Sequence, residues 1–129
     1  LAALASRFPL AIISDTGFAS GMAQDRLLER DGIRSLFAAT VYSVDIGYAK
    51  PRLEPFRAAL DALRIDRPDE VLHVGDIERT DVRGALAAGM RAVPRPPRRW
   101  QRHDPFARIP ASTFVPHGDA SHCEGGAFL

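Results

Sequence analysis

The stretch from His73 to Met90, HVGDIERTDVRGALAAGM, restricts the folds open to this chain more than any other. Just before and into it runs Val71-Leu72-His73-Val74, an apolar segment of the length of a buried strand. The run breaks at Gly75-Asp76, a second acid follows at Asp81, and Val82-Arg83-Gly84-Ala85-Leu86-Ala87-Ala88-Gly89 reads as a helix. The order is strand, acidic loop, helix. In an open parallel sheet, ligands sit just outside the carboxyl ends of the strands, so Asp76 stands where such a fold does its chemistry. Two carboxylates on one short loop suit Mg²⁺, which takes one or two carboxylates, several waters and substrate phosphate. The plainer alternative makes Asp76 a turn residue and Asp81 a helix N-cap.

The rest of the chain repeats the alternation. Leu1 to Arg7 reads as the last turns of a helix, closed by Phe8-Pro9. Leu10-Ala11-Ile12-Ile13 is a short apolar run, expected to be a buried strand. It ends at Ser14-Asp15-Thr16-Gly17, a loop whose hydroxyls and backbone N–H groups can bind an anion or simply turn the chain. Gly21 to Arg30 is expected to be a helix, stopped by Asp31-Gly32. Thr40 to Val44 is β-branched and aromatic, hence a strand. A loop from Asp45 to Pro51 follows, with Lys50 at its end. Leu53, Phe56, Leu60 and Leu63 then recur at helical spacing, and Pro51 can sit in that helix's first turn. A lysine at a helix start opposes the macrodipole, so an anion nearby is one reading and a solvated lysine the other. Met90 to Val93 is expected to be a last strand, ended by Pro94. Strands alternating with amphipathic helices specify an α/β fold with a parallel sheet covered on both faces, that is, doubly wound.

A chain of 129 residues has room for one such domain. The expected core spans residues 1–93. Residues 94–129 form a Pro- and Arg-rich, then Gly-rich tail, expected to be partly irregular. Its Arg95, Arg98, Arg99 and Arg102 surround Trp100, a pattern seen where single-stranded nucleic acid is bound. A net charge of +1 argues against nucleic acid and against an anionic membrane as partners. His117, His122 and Cys123 match no standard zinc spacing. A single cysteine excludes an internal disulfide and fits a reducing, cytoplasmic setting. No apolar run approaches the roughly 18 residues that span a bilayer. Leu1 in place of a methionine suggests a chain cut from something longer.

Three loops therefore follow three strands, carrying Ser14, Lys50 and the Asp76/Asp81 pair. In a parallel sheet they open on one edge. A hydroxyl and an ammonium there can hold phosphate oxygens, and the carboxylates Mg²⁺.

At these residues the chain resembles the haloacid dehalogenase (HAD) superfamily of hydrolases. LAIISDTG matches its strand ending in Ser or Thr, GYAKPRLEPFRAAL its lysine before a helix, and HVGDIERTDVRGALAAGM its strand followed by Gly-Asp and a second acid. The resemblance covers about Leu1 to Val93 and implies a Rossmann-like core. It also implies transfer of a phosphoryl group, or less often displacement of a halide, through an aspartyl intermediate. Ser14, with backbone near Asp15, would hold a phosphoryl oxygen. Lys50 would neutralise charge on nucleophile and phosphate. Asp76 would hold Mg²⁺ directly or through water, supported by Asp81. The family's first motif, D-x-D-x-[TV], which carries the nucleophile, does not occur in this sequence. Its strand would lie centrally, between those ending at Ser14 and Asp76, and the cap that selects substrate would follow it. The expected sheet is thus incomplete: a Rossmann-like core lacking its first strand and cap. Such a chain is expected to be a fragment, inactive and poorly folded alone. A small phosphorylated metabolite is the expected substrate. The alternatives are 2-haloacid dehalogenation, which needs no metal, and a non-enzymatic interaction module.

Overall fold

The computed structural model describes residues 1–95 and the backbone of residues 127–128. Strand β1 (Ala11–Ser14) pairs in parallel with β2 (Ala39–Tyr42), Ala11 opposite Ala39 and Ser14 opposite Tyr42. Strand β3 (Val71–Gly75) pairs in parallel with β4 (Arg91–Pro94) on one side. On its other side it pairs in parallel with β5 (Ala127–Phe128). Among the described residues the β1–β2 pair and the β4–β3–β5 group share no ladder. This is the parallel α/β core expected from the alternation of elements, with its sheet interrupted between β1 and β3.

Of the helices, α1 (Ala2–Ala5) buries no residue. Helix α2 (Gly21–Arg30) starts at Ser20, whose hydroxyl accepts from the Ala23 N–H and so satisfies one donor that a helix start leaves open. A single turn, α3 (Ser43–Ile46), follows β2 directly and ends at Gly47 in the left-handed conformation. Helix α4 (Leu53–Leu63) buries Pro55, Phe56, Ala59 and Leu60. That spacing places all four on one face. The face lies against β1, β2 and the short helix α5 (Arg83–Ala87). Helix α4 therefore bridges the interruption. Its Phe56 is fully buried among Ile13, Val41, Val71, Val82 and Ala85, and it meets the His73 ring edge-on at 5.3 Å between centroids.

Several boundaries differ from those read in the sequence. The strand expected over Thr40–Val44 ends at Tyr42, because Ser43 and Val44 turn into α3. Pro51 is not in the first turn of α4. The helix starts at Leu53 with Arg52 at its N-cap, so Lys50 stands ahead of the helix and not against its dipole. Asp81 is not an N-cap either. It lies inside a π-helical turn, Glu78–Val82, which passes straight into α5. The strand expected over Met90–Val93 is Arg91–Pro94. The Gly-rich terminus, expected to be irregular, contributes β5. The Trp100 arginine cluster and His117, His122 and Cys123 lie outside the described residues. Among the described residues no helix is long and apolar enough to cross a membrane.

Two glycines set the packing. A Cβ on Gly84 would stand 2.5 Å from Phe56 Cε2 and 3.2 Å from the Pro51 Cα. A Cβ on Gly75 would collide with the Asp81 side chain. Gly84→Ala is expected to destabilise the fold by about 1–3 kcal/mol, the usual cost of overpacking. Ala85→Gly, which removes a methyl from the next buried position, tests the opposite error. Urea denaturation of both variants measures the two costs.

Candidate active site

Each candidate side chain is placed by a strand end or by the loop after it. Beyond β1, the Thr16 N–H donates to Ser43 Oγ at 2.9 Å, and that hydroxyl lies 3.3 Å from the Thr16 carbonyl oxygen. The loop after β1 is thereby fastened to the start of α3. The Asp15 carboxylate accepts from the backbone N–H of Lys50 at 3.0 Å. This fastens the same loop to the lysine loop. The Ser14 hydroxyl, half-buried at the end of β1, makes no hydrogen bond to a described residue.

Lys50 is the centre of the cluster. Its Nζ donates to the Ile13 carbonyl oxygen at 3.2 Å and to Asp81 Oδ1 at 2.6 Å. Both side chains of this ion pair are largely buried, 12% and 5% exposed. The second Asp81 oxygen accepts from the Ile77 N–H at 2.9 Å. The π-helical turn makes this possible: it folds the chain back so that the acid faces β3 and not solvent. His73 Nε2 stands 3.7 Å from Asp81 Oδ1, beyond hydrogen-bond reach. Among the described residues neither nitrogen of this buried ring has a hydrogen-bond partner. Burial disfavours the Asp81 carboxylate, but the His73 ring, the Lys50 ammonium and the Ile77 N–H outweigh it and hold its pKa well below the usual carboxylate range. Given the 3.7 Å separation from His73, the ammonium at 2.6 Å is the main stabilising partner.

Asp76 is placed differently. It is 37% exposed by its side chain, and Arg95 Nη2 lies 3.4 Å from its Oδ2. The backbone N–H of Arg95 donates to the Gly75 carbonyl at 2.7 Å, extending the β3–β4 pairing. The site thus links Asp15, Lys50 and Asp81 by hydrogen bonds, with Ser14 at the adjoining end of β1 and Asp76 on the same loop as Asp81. Sequence reasoning did not single out Ser43 or Arg95 for this site. In the sequence Arg95 belongs to the basic tail, and the register that sets it beside Gly75 has no sequence signal. His73 stands there only as part of an apolar strand.

The residues present fit Mg²⁺ in part. Among the described residues no three His, Cys, Asp or Glu side chains come together as a metal cage. Mg²⁺ does not need one, since waters and substrate phosphate usually fill most of its shell. Asp76 offers a partly exposed carboxylate, whereas both Asp81 oxygens already accept hydrogen bonds. A separate open cleft of about 420 Å³ lies between α2 and β2, lined by Asp25, Glu29, Thr40, Tyr42 and Asp45 among others. None of the cluster residues lines it. There Tyr42 donates to Asp25 at 2.6 Å, and burial together with that bond pushes the phenol up to about 12.

The chain matches the sequence profile of haloacid dehalogenase-like hydrolases over residues 1–89. It is 37% identical over 90 residues to the pyrimidine 5'-nucleotidase YjjG of Escherichia coli, covering 70% of this chain and 39% of that protein. A solved structure of a 2-haloacid dehalogenase from Pseudomonas syringae is 34% identical, with a TM-score of 0.58, over 71% of this chain and 36% of that one. The HAD-hydrolase YfnB of Bacillus subtilis, solved bound to magnesium, is 26% identical with a TM-score of 0.59, over 70% and 38%. The chain spans about two-fifths or less of the length of each.

Removing either member of the central pair leaves the other charge buried, at a cost of about 3–5 kcal/mol. Asp81→Asn and Lys50→Met are each expected to lose stability on that scale by urea denaturation, and the double variant less than their sum. Folding lowers the Asp81 pKa, so its stabilisation is complete above the unfolded-state value of about 3.9 and disappears as pH falls through the folded value. Wild-type stability should therefore drop on acidification below about pH 4, and Asp81→Asn should show less of that drop.

Proposed function

This chain belongs to the haloacid dehalogenase-like hydrolases, and on that premise we propose that it supplies the phosphate- and metal-holding part of a Mg²⁺-dependent phosphatase acting on small phosphorylated metabolites. The observation that carries the proposal is the Lys50 ammonium, held between the end of β1 and the loop after β3 by Ile13 O and Asp81 Oδ1. An ammonium has three donors. Two are engaged, and the third is left for an incoming anion. The Ser14 hydroxyl, with no partner among the described residues, donates to a second phosphoryl oxygen, next to the backbone at Asp15.

The charges favour a phosphoryl group. Lys50 and Asp81 nearly cancel, so Lys50 alone cannot balance a phosphate dianion. Asp76 would hold the Mg²⁺, directly or through water, and Asp81 would support it by fixing Lys50 and the loop. Once bound there, the ion would supply the remaining positive charge beside the transferring group. Preorganised charge of this kind is the main catalytic term in phosphoryl transfer. The aspartyl nucleophile belongs to the D-x-D-x-[TV] string, which this sequence lacks, so these residues bind and orient but do not attack. The likeness to a 2-haloacid dehalogenase supports a second reading, halide displacement without metal. The partly exposed Asp76 carboxylate and the nucleotidase relative favour the phosphatase.

Calorimetric titration with inorganic phosphate, with and without MgCl₂, separates the readings. Binding should require Mg²⁺, and Ser14→Ala and Asp76→Asn should each weaken it by roughly tenfold, the loss of about one good hydrogen bond or ion contact. Binding indifferent to Mg²⁺ and to Asp76→Asn would remove the phosphatase reading. Turnover of a phosphate ester by these 129 residues alone would remove the assignment of the nucleophile elsewhere.

A further inference from the structure

The loop after β3 carries two acids, and each meets a cation. Asp81 meets Lys50 at 2.6 Å, with side chains 5% and 12% exposed. Asp76 meets Arg95 at 3.4 Å, with side chains 37% and 46% exposed. Charge-assisted N–H···O bonds are normally about 2.7–2.9 Å long. The first pair is therefore locked and the second is loose. The backbone of Arg95 is nonetheless fixed. Its N–H donates to the Gly75 carbonyl oxygen at 2.7 Å, which continues the β3–β4 ladder past the Gly75–Pro94 pair. The root of the Arg95 side chain is thus held beside Asp76, while its guanidinium, half in water, is able to let go.

We propose that Arg95 is a built-in competitor for the Asp76 carboxylate: its guanidinium holds Asp76 until Mg²⁺ displaces it, so this one side chain sets the Mg²⁺ concentration at which the site loads. The inference rests on the reading of Asp76 as the Mg²⁺ ligand. A guanidinium against a carboxylate cancels the charge that draws a cation in. Mg²⁺ gives up its waters reluctantly and binds through one or two carboxylates. It must therefore replace Arg95 or share the carboxylate with a like charge, and either weakens its binding. Replacement costs the fold little, because a half-exposed ion pair contributes little to stability. The Arg95 side chain can swing into water while its N–H stays on Gly75. The buried Lys50–Asp81 pair cannot exchange in that way, since parting it strands a charge away from solvent. One acid of the loop is thus committed to structure and the other to an exchangeable cation.

Calorimetric titration of the full 129-residue chain with MgCl₂ at constant ionic strength tests it. Arg95→Gln removes the charge and keeps the backbone N–H, and should tighten Mg²⁺ binding by roughly three- to tenfold. Arg95→Lys restores a charge at the same root and should bring the affinity back toward that of the unsubstituted chain. In the unsubstituted chain the Arg95 Nε–H resonance should shift as MgCl₂ is added, with the same midpoint as the calorimetry. An arginine that served packing alone would not respond to the metal. In an Asp76→Asn background, Arg95→Gln should bring no gain; a gain that persists there is a long-range charge effect and refutes competition for this carboxylate. Equal or weaker Mg²⁺ binding by Arg95→Gln, or an Arg95 resonance indifferent to MgCl₂, would overturn the proposal. Mg²⁺ binding that survives Asp76→Asn unchanged would instead remove Asp76 as the ligand, and with it the reading on which the proposal stands.

Discussion

The geometry of the site depends on one buried ion pair. Lys50 and Asp81 lie on separate loops, 31 residues apart, and meet at 2.6 Å. Withdrawing two charges from water is costly, and an apolar pair of similar volume is often as stable. The cost is offset here because each charge finds further partners: Ile13 O for the ammonium, Ile77 N–H for the carboxylate. What the pair adds over an apolar contact is direction. It fixes the end of β1 against the loop after β3, two elements that share no strand ladder among the described residues. With α4 packed beneath, the pair sets the distance between the Ser14 side of the site and the Asp76 side.

The glycines in the acidic stretch have tertiary causes that spacing alone cannot show. Gly75 is where Asp81 folds back onto its own strand, and Gly84 is where Phe56 enters from α4. Each admits a close approach that a methyl group would block. The motif is thus a packing requirement as much as a chemical one. Without Gly75, the Asp81 carboxylate could not reach the Lys50 ammonium by the same path.

Much of this was legible in the sequence. Apolar runs located β1 and β3, helical spacing located α4, and strand-then-loop order put Ser14, Lys50, Asp76 and Asp81 on one edge. The divergences have physical reasons. The sequence sets Asp81 beside Asp76 on one loop, whereas a π-helical turn, which has no periodic signature, aims it at Lys50. Arg95 reaches Asp76 because of the β3–β4 register, and register across a long crossover is not written in local composition. Ser43 ends β2 two residues before its β-branched pattern fades, because its hydroxyl pairs with Thr16 from 27 residues away. Strand β5 sits in a glycine-rich terminus that gives no strand signal by propensity, and shows itself only by its pairing with Val71 and Leu72 of β3.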